Sequence, residues 1–233
     1  MSQIPLALCL DKHALFATFV AEDDAGAAAH VAAVASAERR DVVWVYGPAG
    51  TGKTHLLQAA CRRAGDAGLR SMYLRLDDAR ETHPDRLQGA ERLDLLALDA
   101  VDAVAGRSDW EGRLFSILND FQERRGGLLL AARSAPAATP FALADLASRA
   151  GGAIVYRLKA LGEQGQLDAL VRHARQRGLE LDSATARYLL NRVQRGMPEL
   201  CAWLDRLDRA SLAAQRRLTI PFIRDALSAE GRD

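Results

Sequence analysis

Residues 47 to 54 read Gly47-Pro48-Ala49-Gly50-Thr51-Gly52-Lys53-Thr54, and they follow directly on the apolar run DVVWVY at 41–46. In such a G-x-x-x-x-G-K-T run the glycines let the backbone curl until its N–H groups face inward, and a helix starting at the lysine adds its positive dipole end. The fold is constrained accordingly: a buried strand before the run, a helix after it, and space where phosphate oxygens meet amides. Lys53 suits the β- and γ-phosphates of a nucleotide, and the Thr54 hydroxyl suits Mg²⁺. A glycine-rich turn that binds nothing is the alternative, and the strand-loop-helix context argues against it. His55, next in line, reads as a helix-surface histidine.

Strand and helix signals alternate around this run. Strands are expected at 41–46, 69–76, 93–99, 127–132 and 153–158, and helices at 21–40, 52–66, 109–125 and 141–149. Acidic residues at the start of 21–40 and arginines at its end suit a helix macrodipole. This alternation specifies an α/β domain with a mainly parallel five-stranded sheet and right-handed crossovers. From Gly162 onward only amphipathic helical segments recur, near 163–177, 183–195, 198–214 and 221–229, so a small all-helical second domain is expected.

Composition removes several classes of function. A formal net charge of +1 over 233 residues disfavours nucleic-acid binding through charge alone. Cys9, Cys61 and Cys201 are odd in number and lack histidines at ligand spacing, so neither disulfides nor structural zinc are expected. No apolar run approaches the roughly 18 residues of a spanning helix. The opening QIPLAL is a poor secretion signal, since no positive charge precedes it and Asp11 and Lys12 soon interrupt it. Pro5 also argues against a central strand there. A cytoplasmic protein with no membrane partner is the expectation.

The segment LLALD carries Asp99 to the end of a buried strand, where it can hold a metal's water shell beside Thr54. An ordinary strand-ending aspartate is the alternative. Many ATPases of this architecture have an acidic residue next, to orient the attacking water; here it is Ala100, with Asp102 two places on. The fourth strand ends in Ala131-Ala132, followed by Arg133 and Ser134, and Pro198 opens a helical segment in the second domain; in the AAA+ modules that this chain resembles, a polar sensor and a lid arginine are usual at these places, and Arg195 can reach in from the preceding turn or be a solvated loop residue. Together these departures predict slow hydrolysis at an otherwise intact phosphate cradle.

These parts, with DLASR (145–149), YRL (156–158), LDRLDRAS (204–211) and AQRRLTIPFI (214–223), resemble AAA+ modules of the DnaA-related family, and more specifically its shorter Hda branch of regulatory inactivators. The resemblance implies a nucleotide-binding base domain at 13–160 and a helical lid at 161–233. It also implies ADP or ATP with Mg²⁺ as cofactors, and a cradle of Gly47, Pro48, Ala49, Gly50, Thr51, Gly52, Lys53, Thr54 and His55 with Asp99. ALFATFVAED resembles the family segment that lies over the base, making Phe19 and Val20 candidates, with core packing as the alternative. Arg149, taken alone, either complements the dipole of its helix or acts as an arginine finger; the resemblance assigns the finger, acting in trans on a partner's phosphate. The resemblance also implies a clamp-binding peptide at residues 1–12, with Gln3, Leu6 and Leu8 in register and Ile4 beside them. Implied partners are the DnaA initiator and the replicative sliding clamp, with DNA reached mainly through the clamp. Homo-oligomerisation stays open, because AAA+ surfaces associate heterologously. Ending at Asp233, the sequence is expected to lack an initiator's helix-turn-helix domain. The implied function is inactivation of replication initiation by stimulating ATP hydrolysis in DnaA. The alternative is an autonomous AAA+ ATPase, such as a helicase loader or an initiator module.

Overall fold

A computed structural model describes residues 10–22, 25–77, 83–124, 126–193, 196–214 and 218–230. Two units follow one another along the chain, Met1–Ala160 and Leu161–Asp233. The first runs α1 (Ala25–Ala35), β1 (Val42–Tyr46), α2 (Lys53–Asp66), β2 (Ser71–Arg75), β3 (Leu95–Asp99), α3 (Ser108–Arg124), β4 (Gly127–Ala132), α4 (Ala144–Gly151) and β5 (Ile154–Arg157). Its five strands form one sheet in the order β2-β3-β4-β1-β5, every neighbouring pair parallel. The carboxyl ends of β1, β3 and β4 therefore lie side by side, the edge at which open parallel sheets present ligand sites.

The continuous apolar runs exist because β1, β3 and β4 are covered on both faces. Side chains alternate between the two: Trp44, Leu96, Leu98, Leu128 and Leu130 meet Trp110, Leu114, Ile117 and Phe121 of α3. Val43, Val45, Leu95, Ala97 and Leu129 meet Val31 and Val34 of α1 and Leu56, Leu57 and Ala60 of α2. Each large side chain so buried contributes about 1.5–3 kcal/mol. The second unit consists of α5 (Glu163–Gln176), α6 (Ser183–Arg192), α7 (Met197–Ala214) and α8 (Ile220–Glu230) around a core of its own that includes Leu170, Leu189, Leu200, Leu204 and Ile223. Asp182 caps α6, accepting from the Thr185 amide at 2.7 Å.

The expected helix at 21–40 is shorter than its composition suggests. Ala37 adopts a left-handed conformation at φ 57°, and the Glu38 and Arg39 amides fold back onto the Ala33 carbonyl. Arg39 and Arg40 thus lie beyond the last turn, and Arg39 pairs with Asp41 at 2.6 Å instead of complementing the dipole of α1.

Two local features hold the outer elements in place. Glu111 of α3 is buried, and its carboxylate accepts from the Gly106, Ala142 and Leu143 amides at 2.6, 3.0 and 2.7 Å. It thereby sets the entry to α4. Burial alone would push this carboxyl up; the three amides outweigh it and hold it below the usual carboxylate range. Gly47 sits where the chain after β5 crosses β1: the Leu158 amide donates to the Tyr46 carbonyl at 2.7 Å, and a Cβ on Gly47 would stand 2.2 Å from the Leu158 carbonyl oxygen.

Glu111→Gln should lower stability at pH 7 by about 1–3 kcal/mol, the cost of weakening bonds to buried amides. Because the folded-state pKa is depressed, this contribution is complete above the unfolded carboxylate pKa and fades as pH falls from about 5 through the folded value. Urea unfolding of both proteins across that range should show the gap closing toward acid. Gly47→Ala forces backbone apart and should cost roughly 3 kcal/mol, read as a lower unfolding midpoint.

Candidate functional site

The loop from Gly47 to Gly52 leaves the end of β1 and enters α2 at Lys53, as the motif requires. Gly52 is the N-cap, at φ 90° in the left-handed region, and its bare Cα faces the Phe19 ring, 3.0 Å from where a Cβ would be. Pro48, Ala49 and Gly50 are exposed, whereas Thr51 is buried and its hydroxyl donates to the Pro48 carbonyl at 2.9 Å. The Lys53 ammonium lies over the same loop, 2.7 Å from both the Gly47 and Pro48 carbonyls. Burial draws its pKa below the usual lysine value, against the pull of Asp99 and Asp102.

Asp99 ends β3 at 4% exposure. Its Oδ2 accepts from Thr54 Oγ1 at 2.6 Å and from the Tyr73 phenol at 2.9 Å, and its Oδ1 accepts from the Ala100 amide at 2.9 Å. Burial, reinforced by the Asp99 carboxylate, pushes the Tyr73 phenol well above its ordinary range, so it stays protonated. Since Thr54 gives its proton to Asp99, its oxygen lone pairs remain for a cation. Among the described residues there is no cluster of three or more His, Cys, Asp or Glu that could hold a metal. One hydroxyl and one carboxylate suit Mg²⁺, which is usually completed by water and phosphate oxygens.

Ala100 takes the left-handed conformation at φ 57°, ψ 46°, costly for a residue with a Cβ. That turn leads into a short 3-10 helix, Val101–Val104. Asp102 there accepts from the Arg133 amide at 3.2 Å and faces the Arg133 guanidinium at 3.9 Å. Neither Asp102 nor Arg133 stood out as a cradle residue in the sequence; parallel β3 and β4 bring both within electrostatic reach of Lys53.

Phe19 and Val20 line a pocket with Ala21, Glu22, Thr51, Arg157, Leu158 and Lys159. Phe19 also belongs to the core beneath α2, as the packing alternative expects. His55 is not the helix-surface residue its position suggested. Its Nε2 lies 2.8 Å from the Leu15 carbonyl and 3.3 Å from Thr18 Oγ1, and its ring is 5.9 Å from that of Phe19. Burial holds the imidazole below its ordinary pKa, against the pull of the Leu15 carbonyl. It ties the segment carrying Phe19 to the helix carrying Lys53. Arg149, exposed in the last turn of α4, donates to Gln122 Oε1 of α3 at 3.4 Å and is not among the residues lining the pocket. Gln3, Ile4, Leu6, Leu8 and Arg195 lie outside the described residues.

Tyr73 and Glu111 were missed by the sequence reading. Neither belongs to a motif; the available signal was an aromatic hydroxyl on the strand beside LLALD and a lone acid on an apolar helix face. No helix among the described residues is long and apolar enough to cross a membrane.

Comparison with known proteins agrees with this architecture. Domain III of the Thermotoga maritima replication initiation protein DnaA aligns with a TM-score of 0.74 at 19% identity, covering 93% of this chain and 96% of that one. AMPPCP-bound DnaA from Aquifex aeolicus aligns with a TM-score of 0.69 at 24% identity, over 86% of this chain and 66% of that one. The Thermotoga maritima RuvB Holliday junction branch migration motor aligns at 0.62 and 16% identity, over 92% and 73%. At these identities the likeness shows the fold. The family is decided by sequence: residues 10–155 match the bacterial DnaA ATPase domain, and residues 163–227 match the lid domain of Hda. The chain thus belongs to the bacterial DnaA ATPase-domain family, as an Hda-like, DnaA-homologous AAA+ protein.

Proposed function

We propose that this protein is a nucleotide-holding AAA+ regulator of replication initiation that stimulates ATP hydrolysis in DnaA. The observation that carries the reading is a complete cradle whose metal-side aspartate is followed by Ala100. In this reading the loop amides and Lys53 bind the phosphates of ADP or ATP, and Phe19 and Val20 flank the base. Thr54 and Asp99 hold Mg²⁺, which when bound neutralises phosphate charge. A methyl group at Ala100 cannot polarise water, and Asp102 is engaged by Arg133. The β4 end, Ala131-Ala132, adds no polar side chain. Binding is thereby separated from turnover.

Arg149 supplies the outward-facing half of the proposal. It is exposed, steadied by Gln122, and carried on a helix whose entry Glu111 anchors. A guanidinium presented this way suits the phosphoryl oxygens of a neighbour, where negative charge develops during transfer. The Hda-type lid supports DnaA as that neighbour. The register of Gln3, Leu6 and Leu8 supports a tether to the sliding clamp, with DNA engaged mainly through it.

The test is ATP hydrolysis by ATP-loaded DnaA mixed with this protein and DNA-loaded clamp. Arg149→Ala should abolish the stimulation, a loss in the range of about 10³ to 10⁵ expected for an arginine finger, while this protein's own nucleotide affinity stays unchanged. Lys53→Ala should do the reverse, weakening its own affinity about tenfold or more. Removing residues 1–10 should abolish the dependence on clamp. Robust ATP turnover by the protein alone, indifferent to Arg149→Ala, would instead indicate an autonomous ATPase.

A further inference from the structure

Tyr73 stands on β2, 26 residues before Asp99 and outside both phosphate-site motifs, yet its phenol reaches the same carboxylate oxygen as Thr54. A carboxylate offers about four acceptor sites, two on each oxygen. On Asp99, Oδ2 takes Thr54 at 2.6 Å and Tyr73 at 2.9 Å, while Oδ1 takes the Ala100 amide at 2.9 Å. Three of the four sites are filled, and the one left is on Oδ1. With Oδ2 fully occupied, the carboxylate cannot rotate about its Cβ–Cγ bond without breaking two bonds at a position that is 4% exposed.

Tyr73, Asp99 and Thr54 thus join β2, the end of β3 and the start of α2 through one carboxylate. We propose that Tyr73 is the positioning residue of the metal side: through Asp99, it orients the remaining acceptor of Oδ1 toward the water shell of a divalent cation held by Thr54. The inference rests on the reading of this site as a Mg²⁺-nucleotide site.

The role differs from filling the core. Without the phenol, Oδ2 keeps only the Thr54 hydroxyl, the carboxylate gains freedom to turn, and the geometry offered to the cation is no longer single. Removing partners behind a metal ligand typically weakens metal affinity by about 10- to 100-fold. Phosphate binding by the loop amides and Lys53 does not pass through Asp99 and should be left alone.

The experiment measures the affinity of the purified full-length protein for a fluorescent ADP analogue, in EDTA and across a Mg²⁺ titration, for wild type and Tyr73→Phe. Phenylalanine keeps the ring and removes only the hydroxyl. The expected result is an unchanged affinity in EDTA with a Mg²⁺ midpoint raised roughly tenfold. A midpoint that is unchanged or lowered, whatever the effect on thermal stability, overturns the proposal and leaves nucleotide binding standing. Failure of the wild-type protein to bind the analogue at all overturns both this inference and the nucleotide reading beneath it. Should Tyr73→Phe not fold, Tyr73→Met carries the test: it too removes the hydroxyl and should raise the midpoint roughly tenfold, and an unchanged midpoint counts against the proposal.

Discussion

A carboxylate at the end of a buried strand is tolerated only if other groups satisfy it, and Asp99 meets that condition with donors from three elements. Thr54 comes from the start of α2, Tyr73 from β2, and the Ala100 amide from the turn that leaves β3. Each donor fixes something beyond the charge itself. The Thr54 bond joins the phosphate loop to β3 across the sheet order, because β4 lies between β3 and β1. The Ala100 bond accompanies a left-handed turn that sends the chain into Val101–Val104 and brings Asp102 toward Lys53 and Arg133. The parallel sheet places these strand ends together; hydrogen bonds to one buried anion set their spacing.

In the proposed reading, the molecule divides from that centre into a part that binds nucleotide and a part that presents Arg149. The binding part is the loop Gly47 to Thr54, the pocket beside it, and the segment before α1 that His55 clamps onto α2. The presenting part is α4, whose entry is pinned by Glu111 and whose last turn carries Arg149. Between the two, where hydrolysis would need an acid at position 100 and a polar group at the end of β4, the side chains are methyl groups. In the proposed reading, such a site binds phosphates without a side chain at position 100 or at the end of β4 to activate water, and acts on a partner's nucleotide.

Most of the fold was legible in the sequence, for a physical reason. Runs of four or five consecutive apolar residues bounded by turn or charged residues have few fates other than a strand covered on both faces, so β1, β3 and β4 fell where DVVWVY, LDLLALD and GLLLAA predicted. The phosphate loop was legible because its chemistry is local. What escaped were contacts between residues far apart in sequence. His55 looked solvent-facing on its helix, yet the Leu15 carbonyl, 40 positions away, folds over it. Tyr73 and Glu111 meet partners 26 and 31–32 positions distant, respectively. The end of α1 was misplaced because alanine at 37 gives no warning of a left-handed turn.

Whether the site holds a nucleotide without turning it over is tested by loading the purified protein alone with ATP and Mg²⁺ and following bound and released nucleotide chromatographically. Nucleotide should stay bound, with no sustained release of ADP under excess ATP. Continuous multiple-turnover production of ADP by the isolated protein would contradict the proposed reading.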